Sequence, residues 1–428
     1  MTAPSVADVP SIAEAAWFAA PPLRRVLGAL NGAGEETRIV GGAVRNALLG
    51  RPVSDVDLAT TALPQETMRR AVAAGLKAVP TGLTHGTVTV VADGMPFEVT
   101  SLREDVETDG RHAVVRFGRD WGADAARRDF TMNALYADAQ GRVIDLVGGI
   151  KDLREGRVRF IGDAQTRIRE DHLRILRLFR FHAAYGRGAM DPTALRAAIG
   201  LRTGILRLSR ERVGAELLKL LASAGAEATV RLMSETGFLP TILAGVPDLV
   251  AFERLAGLEA DLDLAPDAVR RLGALAVRIL EDALRLRARL RLSNEAFRRL
   301  QGMAGLFGGD VDARAARALV YRLGYAAFED RLLVNAARRR TSAGAAAGVL
   351  EAARTWQVPA LPYSAADFIA AGLQPGPALG AALARLEADW IGADFPSEPE
   401  RLEALFAAVL DGGTAVAVAS QSLRSPTK

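Results

Sequence analysis

The stretch GGAVRNALLGRPVSDVDLATTA, Gly41–Ala62, decides how this chain is read. It follows the β-branched run Arg38-Ile39-Val40, and its Gly41-Gly42 pair ends that strand and opens the helical segment AVRNALLG. Amides exposed at the start of such a helix can hold phosphate, with Arg45 one turn in. The later part, Ser54-Asp55-Val56-Asp57-Leu58, has strand character, and the two-residue period of a strand puts Asp55 and Asp57 on one face. Neighbouring carboxylates repel unless a cation joins them. A hard divalent ion such as Mg²⁺ accepts one or two carboxylates and completes its shell with phosphate oxygens. A Gly-Gly turn alone, or an Asp-x-Asp alone, is commonplace. In this order they supply what nucleotidyl transfer needs at once: charge stabilisation on a phosphoryl group and a lowered pKa on an attacking hydroxyl.

Outward from this segment the β-branched runs continue at 56–59, 86–92, 97–102 and 142–147, with helical stretches between them. This pattern predicts an α/β domain of about five strands over residues 37–150. Residues 1–36 read as a helical appendage, with one helix over Ile12–Ala20 and a second ending at Gly32/Gly34. After Ile150, Leu, Ala and Arg recur at three- and four-residue spacing, which predicts helices almost to the end. From Gly412 the residues are small and polar and predict a flexible end, 412–428.

Composition narrows the chemistry. At 428 residues the chain has room for about three domains. Its 54 basic and 50 acidic residues leave a net charge of only +4, so any nucleic-acid contact must come from local patches. The absence of cysteine excludes disulfides, thiolate nucleophiles and zinc fingers. All four histidines lie at or before His182, and no His-Asp pair occurs, so histidine-based phosphohydrolysis is not expected. No apolar run reaches membrane-spanning length and no basic-then-apolar leader opens the sequence, which predicts a soluble cytoplasmic protein.

The 41–62 segment resembles the signature of the class II CCA-adding enzymes and bacterial poly(A) polymerases, within the polymerase-β nucleotidyltransferases. Further motifs follow in that family's order: THGTVTVV (84–91), FEVTSLR (97–103), DAARRDFTMNALY (124–136), IDLVGGIKDL (144–153), REDHLRILRLFRF (169–181) and SRERVGAELLKLL (209–221). The resemblance implies an α+β fold: a small mixed-sheet palm over 37–150, then an all-α neck (151–222) and a helical body and tail (223–411). It implies that Gly41, Gly42 and Arg45 hold the nucleotide triphosphate and that Asp55 and Asp57 bind catalytic Mg²⁺. Arg127 and Arg128 would meet phosphate or ribose, with Asp129 a ribose or structural contact. Glu98 is either a third carboxylate of the metal site or an edge-strand partner of Arg103. One position departs from the family: Asn46 follows Arg45 where Asp is usual, so a hydrogen bond survives but an arginine–carboxylate pair does not.

In EDHLRILRLFR, a continuous helix would put Asp171, Arg174 and Arg177 on one polar stripe. In the family this stripe reads the incoming base, which assigns Asp171 and Arg174 to that task, with Arg177 and Arg180 in support. Cytosine and adenine both present an amino donor beside a ring acceptor, so one Asp and one Arg satisfy either. Guanine and uracil present the reverse. The segment Glu104–Ala123 reads as a long exposed loop, which the resemblance connects with the switch from C to A addition. Arginines at 167, 169, 174, 177, 180 and 187, with smaller clusters at 285–291 and 338–340, are candidate RNA contacts. The implied activity is addition of CCA to the tRNA 3′ end from CTP and ATP, with Mg²⁺ as cofactor. The alternatives are poly(A), CC-only or A-only addition, and an inactive RNA-binding protein. Oligomeric state is not legible in the sequence.

Overall fold

A computed structural model describes residues 10–109, 112–305 and 311–422. Its contacts separate two units. The first runs to Pro247 and takes in Ala288–Leu292; the second comprises Asp248–Arg287 and the chain from Ser293 onward.

The first unit is built on a seven-stranded mixed sheet. Helix α1 (Pro21–Leu30) precedes strand β1 (Thr37–Val40), helix α2 (Gly42–Leu48), strand β2 (Asp57–Thr60) and helix α3 (Pro64–Ala73). Strands β3 (Lys77–Gly82), β4 (Thr87–Ala92) and β5 (Met95–Ser101) follow, then β6 (Arg103–Asp109) and β7 (His112–Phe117). Helix α4 (Trp121–Ala126) and strands β8 (Leu135–Ala137) and β9 (Val143–Asp145) complete the domain. The sheet order is β3-β4-β5-β2-β1-β8-β9, with β2 and β5 parallel and the other described neighbours antiparallel. The β-branched runs place β1 and β2 at the centre, where Val40, Ala59 and Tyr136 pack in a buried cluster with Leu102 and Ala134.

The structure corrects several expectations. There are seven strands in this sheet, not about five. Strand β3 is an edge strand and tolerates Pro80, the residue that hid it in the sequence. Strand β8 is only three residues long. The segment read as a long loop forms a separate two-stranded ladder, β6–β7, running from Arg103↔Phe117 to Asp109↔His112 with a shift of register between Asp105 and Glu107. The adjacent Val114 and Val115 favour this extended backbone. Residues 12–20 form successive turns instead of a helix, because Ser11 is held in a bridge to Arg142 and the Ile12 amide donates to Gly141 at 2.8 Å.

Helices α5 (Gly149–Glu155), α6 (Ala164–Glu170), α7 (Leu173–Tyr185), α8 (Pro192–Gly200) and α9 (Arg210–Leu221) form the neck. Phe130 joins sheet and neck, with ring centroids 4.8 Å from Phe160 and 5.2 Å from Phe181. The helices Ala226–Glu235 and Phe238–Leu243 belong to this first unit as well, so the contacts divide the chain later than residue 222. Phe238 packs on Phe179 of α7, which ties them there.

The second unit is helical. It buries a closed set of charges: Arg271 donates to Glu259 at 2.7 Å, Arg270 to Asp330 at 2.9 Å, and Arg299 to Asp330 at 2.6 Å. Toward its end Phe368, Leu379 and Leu386 form a small core with Val409. The last helix, Pro399–Ser422, continues past Gly412, where the sequence reading placed a flexible end.

Candidate active site

Strands β1 and β2 bring the two halves of the opening motif together. Asp57 stands opposite Val40 in the β1–β2 ladder, one residue before Gly41. Gly41 has φ +74°, a left-handed conformation that strains any side chain, and its amide donates to Leu135 of β8 at 3.0 Å. The chain therefore turns sharply off the central strand beside the carboxylate of Asp57.

Asp57 and Glu98 precede the registered pair Leu58↔Val99 of parallel strands β2 and β5, so they share a face. Desolvation, then Glu98 and Asp55, raise the Asp57 carboxyl above its ordinary value of 3.8, against the opposing pull of Arg128. Strand β5 lies inside the sheet, which removes the edge-strand reading of Glu98. Asp55 lies on the extended lead-in to β2 instead of in the strand; it is exposed and accepts from the Ser54 hydroxyl at 2.8 Å. Among the described residues no three or more acidic or histidine side chains form a closed metal cage. The mutual repulsion of these carboxylates nevertheless fits a hard divalent cation that takes one or two of them and fills its shell with phosphate and water.

Arg45 is buried and aimed by four polar contacts. It donates to Asn133 at 2.5 Å, to Asn46 at 3.0 and 3.2 Å, and to the Tyr185 hydroxyl at 2.7 Å. Its guanidinium also stacks over the Tyr185 ring, 4.1 Å from the centroid. Asn46 thus does what the usual carboxylate would do for orientation without neutralising Arg45. Burial, only partly offset by Tyr185, lowers the Arg45 pKa, and the charge left unbalanced favours an added anion.

The two arginines of the Arg127-Arg128-Asp129 run go different ways. Arg127 pairs with buried Asp124 at 2.6 Å and does not line the cavity described below. Arg128 pairs with Asp124 at 3.1 Å and lines it; burial lowers its pKa, but Asp124 and Tyr136 outweigh that and raise it. Burial pushes Asp129 up, yet Arg177 at 2.5 Å, Asn133 at 2.9 Å and the Phe130 amide at 2.8 Å hold it below the usual carboxylate range.

The expected continuous stripe is interrupted. Asp171 is extended, with φ −152° and ψ 107°, in the break between α6 and α7. There its carboxylate accepts the free Leu173 amide at 3.0 Å, the local bond by which Asp starts helices. Its other oxygen accepts from Arg212 of α9 at 2.6 Å. Arg174 contacts Glu170 and the Arg167 carbonyl, the latter at 2.8 Å. Arg180 is held by buried Glu216 at 2.6 Å and does not line the cavity, contrary to its assignment beside the nucleotide. Gly204 lets the following turn approach the neck: a Cβ there would lie 1.6 Å from His172.

One open cavity of about 480 Å³ gathers these groups. Gly41, Gly42, Arg45 and Asp57 line it from the sheet, and Arg128 and Asp129 from the segment after α4. Asp171, Arg174 and Arg177 line it from the neck. The volume suits a nucleotide. Asn133, Phe181 and Arg212 line it too and carried no role in the sequence reading, although Asn133 and Arg212 stand within the motifs at 124–136 and 209–221.

Comparison with known proteins agrees with this layout. Residues 37–159 match the family described as Poly A polymerase head domain, and 189–252 the one described as Probable RNA and SrmB- binding site of polymerase A. The chain is 33% identical over 381 residues to the CCA tRNA nucleotidyltransferase 1, mitochondrial, of Homo sapiens, covering 86% of this chain and 85% of that one. It is 32% identical over 401 residues to the CCA-adding enzyme of Levilactobacillus brevis, covering 91% and 97%. The crystal structure of the Bacillus stearothermophilus CCA-adding enzyme in complex with CTP superposes with a TM-score of 0.72 at 27% identity, over 92% of this chain and 98% of that one.

Proposed function

The chain belongs to the family of CCA-adding tRNA nucleotidyltransferases, and on that premise we propose that its cleft completes tRNA 3′ ends with CCA from CTP and ATP without a nucleic-acid template. The observation that carries this reading is the single cavity onto which both Asp57 and the Asp171/Arg174 pair open.

Gly41, Gly42, Arg45 and Arg128 hold the triphosphate, with Arg45 aimed by Asn46, Asn133 and Tyr185. Asp171 accepts from the exocyclic amine of cytosine or adenine and Arg174 donates to the ring nitrogen beside it. Arg177, fixed on Asp129, borders the same space, while Arg127 and Arg180 brace the walls through Asp124 and Glu216. Asp55 and Asp57 would hold Mg²⁺, which when bound lowers the pKa of an attacking hydroxyl and offsets charge on the leaving pyrophosphate. The RNA 3′-hydroxyl oxygen bonds to the α-phosphorus as the bond to the bridging oxygen breaks. Pyrophosphate leaves, and the hydroxyl proton is released to solvent.

Among the described residues no helix is long and apolar enough to cross a membrane, and the reading places the protein in the cytoplasm with its substrates. The test offers the protein a tRNA lacking its last three nucleotides, a tRNA ending in CC, and unstructured oligo(A), each with labelled CTP or ATP. Products of fixed length ending in CCA are expected. A long A ladder on oligo(A), or addition of C alone or A alone, would overturn the assignment.

A further inference from the structure

We propose that Arg212 and Glu170 are positioning residues for base choice: they keep Asp171 and Arg174 from neutralising each other, so that both remain presented to the nucleobase. The proposal rests on the base-reading assignment of Asp171 and Arg174.

Asp171 and Arg174 carry opposite charges three residues apart in the chain and line the same cavity, so they attract each other. Among the described residues no ion pair joins these two. Asp171 gives one oxygen to Arg212 at 2.6 Å and the other to the Leu173 amide at 3.0 Å. Arg174 spends one terminal nitrogen, Nη1, on Glu170 and on the Arg167 carbonyl at 2.8 Å. Each carboxylate oxygen has a second lone pair, and the guanidinium has further N–H groups, so neither reader is exhausted by its partner.

The two arms of α9 have different tasks. Glu216 reaches buried to Arg180 and staples α9 to α7 behind the wall. Arg212, one turn earlier, reaches into the cavity itself, with its side chain 31% exposed. Arg212 instead holds the Asp171 carboxylate in place at the cavity, as an acceptor that a donating amino group can meet and that repels a guanine or uracil carbonyl oxygen.

The experiment measures kcat/KM of the full chain for CTP, ATP, GTP and UTP on tRNA lacking CCA and on tRNA ending in CC. It compares wild type with R212A, R212K, D171A and the double variant D171A/R212A. Thermal unfolding of each confirms that folded protein is compared, and R212K keeps the test sharp if R212A folds poorly. R212A is expected to reduce the preference for C and A over U and G by about tenfold, an effect in the range of coupled neighbours. R212K should recover most of that preference, and adding R212A to D171A should change it no further. E170Q should relax selection in the same direction through Arg174. If D171A loses the preference while R212A keeps it, Arg212 has no positioning role and the base-reading assignment stands. If R212A still alters the preference in the D171A background, Arg212 acts on the nucleotide directly and the proposal is wrong. If D171A itself keeps the preference, the base-reading assignment fails and the proposal falls with it.

Discussion

The cleft of the first unit and the charge cluster of the second are made of the same side chains and do opposite things. In the second unit Arg270, Arg271 and Arg299 meet Glu259, Asp267 and Asp330 in a closed set, with Glu259 1% and Asp330 2% exposed. In the first, Arg45, Arg128, Arg174 and Arg177 are bonded on one flank and border about 480 Å³ of open space on the other. Burial of charge alone therefore does not mark a site. The mark is buried charge whose partners fix its direction and leave part of its hydrogen-bonding capacity facing a cavity.

Substitutions should separate the two regions. Asp57→Asn should lower nucleotide incorporation by roughly a thousandfold or more, as loss of charge stabilisation at a phosphoryl centre does, with no loss of thermal stability. The same variant should lose the rise in melting temperature that Mg²⁺ gives the wild type; a retained rise would place the ion elsewhere. Next in size, Asp330→Ala leaves Arg270 and Arg299 without their shared carboxylate. It should cost about 3 kcal/mol in denaturant unfolding while leaving the affinity of the first unit for CTP unchanged. Tyr185→Phe removes one hydroxyl partner of Arg45 but keeps the stacked ring. A rise of about fivefold in KM for CTP and ATP with kcat preserved is expected, the size of one hydrogen bond of about 1 kcal/mol.

The smallest effect is the most diagnostic. Asp57 binds its proton more tightly when folded than when unfolded, because desolvation and Glu98 disfavour its charge. Between its ordinary value of 3.8 and the raised one, the folded protein holds a proton that the unfolded chain has released, so stability falls as pH rises through that window. Asp57→Asn should flatten this part of the pH–stability curve. In activity the acid limb should lie above the ordinary aspartate value of 3.8 and move to lower pH as Mg²⁺ is raised.

Much of the cleft was legible in the sequence because its motifs are local: Gly41-Gly42, Asp57, Arg128 and Asp171/Arg174 each sit in a contiguous segment. What sequence reading missed depends on segments meeting. Arg212 reaches Asp171 across two helices, and Tyr185 reaches Arg45 from far along the chain. The break at Asp171 was hidden for the opposite reason. Its period fits a helix on either side, and the extended backbone at Asp171, with its carboxylate on the Leu173 amide, marks where one helix ends and another begins. Strand β3 was masked by Pro80, which an edge position permits. Arg127 and Arg180 were assigned through the resemblance; Asp124 and Glu216 hold them, and neither lines the cavity.

The pairing of β1 with β8 has a consequence for how the protein is born. Val40 must wait for Tyr136, and the cavity must wait for Arg212. Some 170 residues separate Gly41 from Arg212, so at about 5–20 residues per second a ribosome takes roughly 10–30 seconds between them. During that interval the emerging chain carries Gly41-Gly42 and Asp57 without the neck residues that close the other side of the cavity. A complete pocket thus exists only once the chain has been made through Arg212.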